Sequence, residues 1–259
     1  MNQKLASEYN YLNENSYYWT NGKNVFWLGF KIQKADIETF EHYYGHWGKD
    51  KNNCYNGSIV LKNANTKSFN ALNYVYAKDN INVWSYGPYH IKNADAQSFE
   101  ICDTAQINLG KMIEDDKILD AIMHYGYGKD KNNVYYYENG QAPKIVKCAS
   151  PKTFVSLDDG YFGIDEANVY CKKYKLQKAS PKTWKKIKEG YYYSIDKKIY
   201  YLNEIVKNAD LETFEVIEME WNYILPTQLA KDKNHYYFNE RIITKEEKEE
   251  FEEFIRNKK

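Results

Sequence analysis

Two histidines four residues apart, His42 and His46, with Asp50 four further on, are the nearest approach to a metal-ligand set in this chain. On an extended strand all three would share one face, the arrangement that imidazole and carboxylate ligands need to close on a single ion. The related stretch ahead of Asp130 has Gly126 where His46 stands, so the set would be private to one place in the chain, and no metal is expected. Three Asp-Lys-Asn words, at Asp50, Asp130 and Asp232, invite comparison with calcium loops. An EF-hand loop needs an oxygen ligand at its fifth position and glycine at its sixth. The fifth position here is Cys54, Val134 or Tyr236, and no glycine follows. These words are turns. The chain also lacks a glycine-rich phosphate loop, a Gly-x-Ser-x-Gly elbow and a Cys/His pair with a recognisable local signature. The expectation is therefore no enzyme and no cofactor.

Composition narrows the partners. Thirty-six basic residues balance 36 acidic ones over 259 residues, so no global charge favours a polyanion. Only Arg241 and Arg256 are arginine, the residue that reads phosphate and guanine in bidentate fashion, which argues against nucleic-acid recognition. Tyrosine stands out, with 27 copies. Its ring suits a pleated, half-buried surface while the hydroxyl reaches water. The opening residues Met1–Glu8 carry no apolar leader, and no stretch approaches the roughly 18 apolar residues of a membrane span. The four cysteines lack ligand spacing, and Cys54 falls where a sister word has Val134, as expected for a small buried hydrophobe. Reduced thiols in a cytoplasmic protein are expected.

The elements that must hold these residues repeat. The word Ala-[Asp/Asn/Ser]-x-x-[Thr/Ser]-[Phe/Trp] begins at Ala35, Ala64, Ala94, Ala149, Ala179 and Ala209, in steps of 29, 30, 55, 30 and 30 residues. Asp, Asn or Ser in second place is a helix N-cap. Pro151 and Pro181 follow at the first helical position, where a missing N–H costs nothing. The word predicts one helical turn with an inward aromatic anchor: Phe40, Phe69, Phe99, Phe154, Trp184 or Phe214. A second word sets an Asp-led turn between tyrosine-rich runs, as in Asp130-Lys131-Asn132-Asn133-Val134-Tyr135-Tyr136, with looser copies at Asp79, Asp165 and Asp196. Asp opens an Asx turn and Asn tolerates the left-handed region, so this is a β-hairpin signal. A short third strand follows, as at Ile59-Val60-Leu61.

The paired words resemble the bacterial DKNYY family over roughly residues 15–243. The resemblance implies a fold and supplies no catalytic residues. The fold expected is all-β: an array of repeats of about 30 residues, each a hairpin plus a helical turn. A solenoid-like or curved stack is preferred to a propeller-like ring, because 30 residues accommodate three short strands and a blade needs four. Residues 1–101 hold three repeats and 125–243 three to four. Between them, 102–124 stretches one spacing, and Leu109–Met123 reads as an inserted amphipathic helix. Residues 244–259 form a capping helix: Thr244 and Glu247 make a capping box, with an apolar stripe of Phe251, Phe254 and Ile255.

The function expected is non-catalytic protein binding in the cytoplasm, with neutralisation of a bacterial toxin by an immunity protein as its sharpest form. The alternatives are a cell-surface or glycan-binding repeat protein and an unrecognised hydrolase. The expected partner is another protein, with neither nucleic acid nor membrane. Recognition is placed on the least repeated residues: His42, His46, Met112, Ile113, Tyr125, Tyr127 and Tyr136. Tyrosine runs at 135–137 and 191–193 are expected to expose some rings, since only alternate strand residues face a core.

Overall fold

The computed structural model describes residues 17–43, 45–114, 117–138, 140–157, 160–188, 191–217 and 228–256, with side chains described throughout except in 107–123 and at 255–256. Seven small antiparallel sheets follow one another along the chain, six of four strands and the first of three, together with one separate two-stranded hairpin. Every repeat sheet is an open meander: its strands pair in chain order. The second repeat is typical, with strands Glu41–His42, Trp47–Lys49, Cys54–Asn56 and Ile59–Val60.

Each repeat after the first thus has four strands, one more than expected. The additional strand is the residue pair directly after the helical turn, as in Asn70–Ala71 or Glu100–Ile101. Two residues are too few to show an alternation, which is why no pattern announces them.

The helical turns and hairpins interlock through the Asp of the second word. Asp50 Oδ1 accepts the backbone N–H groups of Asn52 and Asn53, both at 2.7 Å, closing its own turn. Its Oδ2 accepts the N–H of Asp36 at 2.8 Å, from the helical turn preceding its sheet, and the Tyr55 hydroxyl at 2.7 Å. Asp130, Asp165 and Asp232 repeat all four bonds, with Tyr135, Tyr170 and Tyr237 as their phenols. The capping residue adds a second layer. Asp36 Oδ1 accepts both the N–H and the hydroxyl of Thr39, whose Oγ1 accepts the N–H of Lys51. The Lys51 ammonium then lies 2.7 Å from Asp36. Lys131–Asp95 and Lys233–Asp210 reproduce that pair at 2.8 Å. Where the cap is Asn65, Ser150 or Ser180, the residue after the turn Asp is Asn80, Glu166 or Lys197, so each acidic cap faces a lysine at that position and the acidic Glu166 faces a neutral cap.

The chain divides into two compact units, residues 1–106 with 124–146, and residues 107–123 with 147–259. In the first unit, apolar clusters bridge successive repeats: Tyr18, Val25, Ile32 and Tyr55 in one, and Trp47, Cys54, Leu61, Phe69 and Trp84 in the next. Polar tips of the same rings tie one repeat to the following one. Tyr18 donates to the His46 and Gly57 carbonyls, Trp47 to the Tyr74 carbonyl and Tyr76 to the Gly126 carbonyl. In the second unit, Tyr193, Ile199, Val206, Ala230 and Tyr237 form the corresponding cluster, and the Tyr193 hydroxyl reaches the Gln228 and Asn239 carbonyls. Of the anchor aromatics, Phe69, Phe99 and Phe154 are buried, while Phe40, Trp184 and Phe214 are half-buried. Cys54 occupies a core position equivalent to Val83 and Val134, and none of the four cysteines is in a disulfide.

The inserted helix is not present. Residues Ile107–Glu114 and Lys117–Met123 are antiparallel strands, with Glu114 opposite Lys117, Ile113 opposite Ile118, Met112 opposite Leu119 and Lys111 opposite Asp120. Opposite charges and β-branched residues at facing positions favour this pairing. A helical stripe and a pair of short strands fit the same short apolar runs, which periodicity alone does not resolve. The C-terminal helix Lys245–Arg256 is present and begins with the expected capping box: Thr244 N–H donates to Glu247 at 2.8 Å and Glu247 N–H to Thr244 Oγ1 at 3.1 Å. Phe251 packs edge-on against Phe238 of the last sheet, whereas Phe254 is largely exposed. Among the described residues no helix is long and apolar enough to cross a membrane.

Candidate functional site

The two ends of each sheet differ in what varies. At one end lies the Asp-led turn, at 50–53, 79–82, 130–133, 165–168 and 232–235, with 196–198 one residue shorter. At the other end lies the connection from first to second strand, which spans 43–46, 72–75, 102–125, 157–161, 187–192 and 217–228. The Asp-led turns differ by one residue at most, whereas the connections at the second end run from four residues to 24. Loops that vary on a fixed scaffold are where recognition concentrates.

In the first unit three such connections bring a histidine and tyrosine cluster together. The His46 ring stacks on Tyr86 at 4.1 Å between centroids and meets Tyr17, Trp27 and Tyr74 at 4.8, 5.4 and 5.4 Å. Its Nδ1 accepts the Trp27 indole N–H at 3.1 Å. Burial lowers the His46 pKa to about 3, assisted by His124. His124 lies flat on Tyr74, with centroids 3.7 Å apart, and burial lowers its pKa as well. The Tyr74 hydroxyl donates to that of Tyr17 at 2.6 Å. Gly45 is fixed beside this cluster: its φ is +52° and a Cβ there would lie 2.7 Å from the Tyr74 ring. Around the long connection, Asp103 accepts the N–H groups of Ala105 and Tyr127.

Of the residues singled out from sequence, His46 belongs to this cluster. His42 is buried on the first strand of the same repeat. Tyr125, Tyr127 and Tyr136 are buried too, Tyr127 stacking against Tyr136 at 4.6 Å. Buried rings cannot present themselves to a partner, so these five act as scaffold. The expectation of exposed tyrosine also fails at 135–137, where all three rings are buried. A sheet with neighbours on both faces buries both sets of alternate residues. Met112 and Ile113 lie on the hairpin, with side chains outside the described residues. His124, Tyr74 and Tyr17 went unrecognised, because nothing in sequence joins positions 17, 46, 74 and 124. Asp50, placed with His42 and His46 as a possible ligand, is committed to its turn, and among the described residues no three His, Cys, Asp or Glu side chains converge as metal ligands.

The Asp, capping and tyrosine residues of the repeated words hold one another, which defines a β-meander repeat scaffold. The sequence profile of the DKNYY family matches residues 2–59, 41–139, 117–204 and 192–259. The chain belongs to the DKNYY family. No curated protein and no solved structure matches it.

Proposed function

We propose that this protein is a non-catalytic protein-binding module whose recognition element is the hairpin 107–123. The observation that carries this is the hairpin itself. Its strands Ile107–Glu114 and Lys117–Met123 are the longest in the molecule among the described residues, and each pairs only with the other. Repeat strands run two to four residues and sit in three- or four-stranded sheets. A two-stranded ribbon is marginal alone and leaves two rows of backbone donors and acceptors open to a third strand. Strand addition from a partner satisfies those groups and gives affinity through main-chain bonds. The narrower assignment is an immunity protein that blocks a bacterial toxin in the cytoplasm, supported by the bacterial family resemblance and the free thiols.

Removing residues 108–122 tests the proposal. No hydrogen bond of the Asp-led turns is touched, so the melting temperature should stay close to that of the intact chain. Partner capture from the native cell, read by affinity purification and mass spectrometry, should be lost. Recovery of the same partner with the shortened chain would move the site onto the repeats. A toxin among the captured proteins supports the narrower assignment.

A further inference from the structure

Charge is balanced over the whole chain but not over each edge of the repeats. In the first unit the fourth strand of each sheet (the third in the first sheet), with the residues that follow it within the unit, covers 30–34, 59–63, 89–93 and 144–146. These segments contain Lys31, Lys34, Lys62, Lys92 and Lys144, and no Asp or Glu. All five lysines are exposed. Among the described residues none of them makes an ion pair, whereas Lys49, Lys51, Lys129 and Lys131 of the same unit are all paired with carboxylates.

Large apolar side chains stand among these free lysines. Phe30 is 64% exposed, Ile59 52% and Ile145 51%, with Val60 and Tyr89 beside them in the series. Exposed apolar residues recur here at the same place on each successive edge, unlike apolar residues scattered singly over a surface. Direct contacts keep the edges in line. A Cβ on Gly57 would sit 3.1 Å from the Trp27 ring, the Gly87 N–H donates to Asn56 at 3.2 Å, and the Tyr89 hydroxyl donates to the Gly140 carbonyl at 3.3 Å. These three links join the first repeat to the second, the second to the third and the third to the fourth.

We propose that the fourth-strand edge of the first unit docks on an anionic lipid bilayer surface. Lysines without counter-ions draw the edge to acidic headgroups, and the apolar side chains enter the boundary between headgroup and acyl chain, with Tyr89 at a depth that suits an amphipathic ring. A soluble polyanion would satisfy the lysines and leave Phe30, Ile59 and Ile145 in water, so the bilayer is the occupant that uses both features. This revises the expectation of no membrane partner, which rested on the balanced total and the lack of a spanning segment. It is independent of the protein partner proposed for the hairpin.

Co-sedimentation of the full chain with large vesicles tests it. Vesicles of phosphatidylcholine mixed with phosphatidylglycerol should carry the protein down, pure phosphatidylcholine should not, and added salt should release it. Each lysine removed should lower partitioning about fivefold, so the triple variant K62E/K92E/K144E should no longer sediment. These lysines lie outside every ion pair above, and an unchanged melting curve checks that the variant is folded. F30S should weaken binding with the charge intact. Failure of the unaltered chain to sediment with the acidic vesicles, or equal sedimentation with both kinds, overturns the proposal. So does competition by soluble polyphosphate at equal phosphate concentration together with unchanged binding by F30S, the outcome of a simple polyanion site.

Discussion

Lys131 and Lys92 both recur with the repeat, yet their surroundings differ in kind. Lys131 follows a turn Asp and closes on the capping carboxylate of Asp95 at 2.8 Å, inside a network where each group already has its partner. Lys92 follows the fourth strand and is exposed, with no carboxylate paired to it among the described residues. The Asp-led turns are therefore complete in themselves, while the fourth-strand edge is not. Repetition marks structure in the one and leaves an unmet demand in the other. Satisfaction of the polar groups, rather than regularity, separates scaffold from surface here.

The comparison breaks first if the core at the turns is soft. Phe99→Ala removes a buried ring that packs on Tyr76 and Tyr135, at 5.4 and 6.0 Å between centroids. It should cost about 3–5 kcal/mol in denaturant unfolding, and a loss under about 1 kcal/mol would mean the repeats do not share a tight core. Asp130→Ala comes next. It strips acceptors from the Asn132, Asn133 and Asp95 N–H groups and from the Tyr135 hydroxyl, so a loss of roughly 2–4 kcal/mol is expected. Lys92→Ala at the edge should leave unfolding within about 0.5 kcal/mol of the parent.

Acid sharpens the comparison in two windows. Burial lowers His46 to about 3, so its neutral form stabilises the fold above the ordinary histidine value of 6.5, and that contribution drains away as pH falls towards 3. His124 acts in the same sense. At the turns, burial alone would raise Asp232, but hydrogen bonds from Asp210, Tyr237, Asn234 and His235 outweigh it and hold the carboxyl at about 2. Lys131, with help from Ser98, does the same for Asp95. Depressed carboxyls stabilise above their ordinary value of 3.8 and stop doing so as pH approaches 2. Thermal melts across pH should show both limbs, and His46→Gln with His124→Gln should remove only the upper one. Lys131→Ala breaks an exposed pair, so its effect should be small and should weaken as salt is added.

Much of the scaffold was legible because its signals are local. The cap, the proline after it, the Asx turn and the anchor aromatic all sit within a few residues. What joins them was not legible: Asp50 reaches Asp36 across 14 positions, and no periodicity records that bond. The first strand is too short to announce itself. Leu109–Met123 fits a helical stripe and a hairpin alike, and the pairing that decides between them lies in facing positions such as Lys111 and Asp120. The tyrosines pointed to strands correctly and to surface wrongly, because burial on both faces is a property of stacking. The fourth-strand edge stayed hidden because a total of 36 against 36 averages over residues that the fold then separates.

Because the Asp-led turn fastens each sheet to the helical turn before it, the smallest exchangeable piece of this chain is not a sheet. A segment cut from one cap to the next, such as 65–94, carries one Asp-led turn whole and leaves a serviceable cap at the junction, whereas a cut at a sheet boundary severs an interlock at each end. Duplication in the first frame lengthens the protein without a new joint, and the first-to-second connections remain free to accept foreign sequence. The same lineage can then diversify what it grips while its masonry stays unchanged.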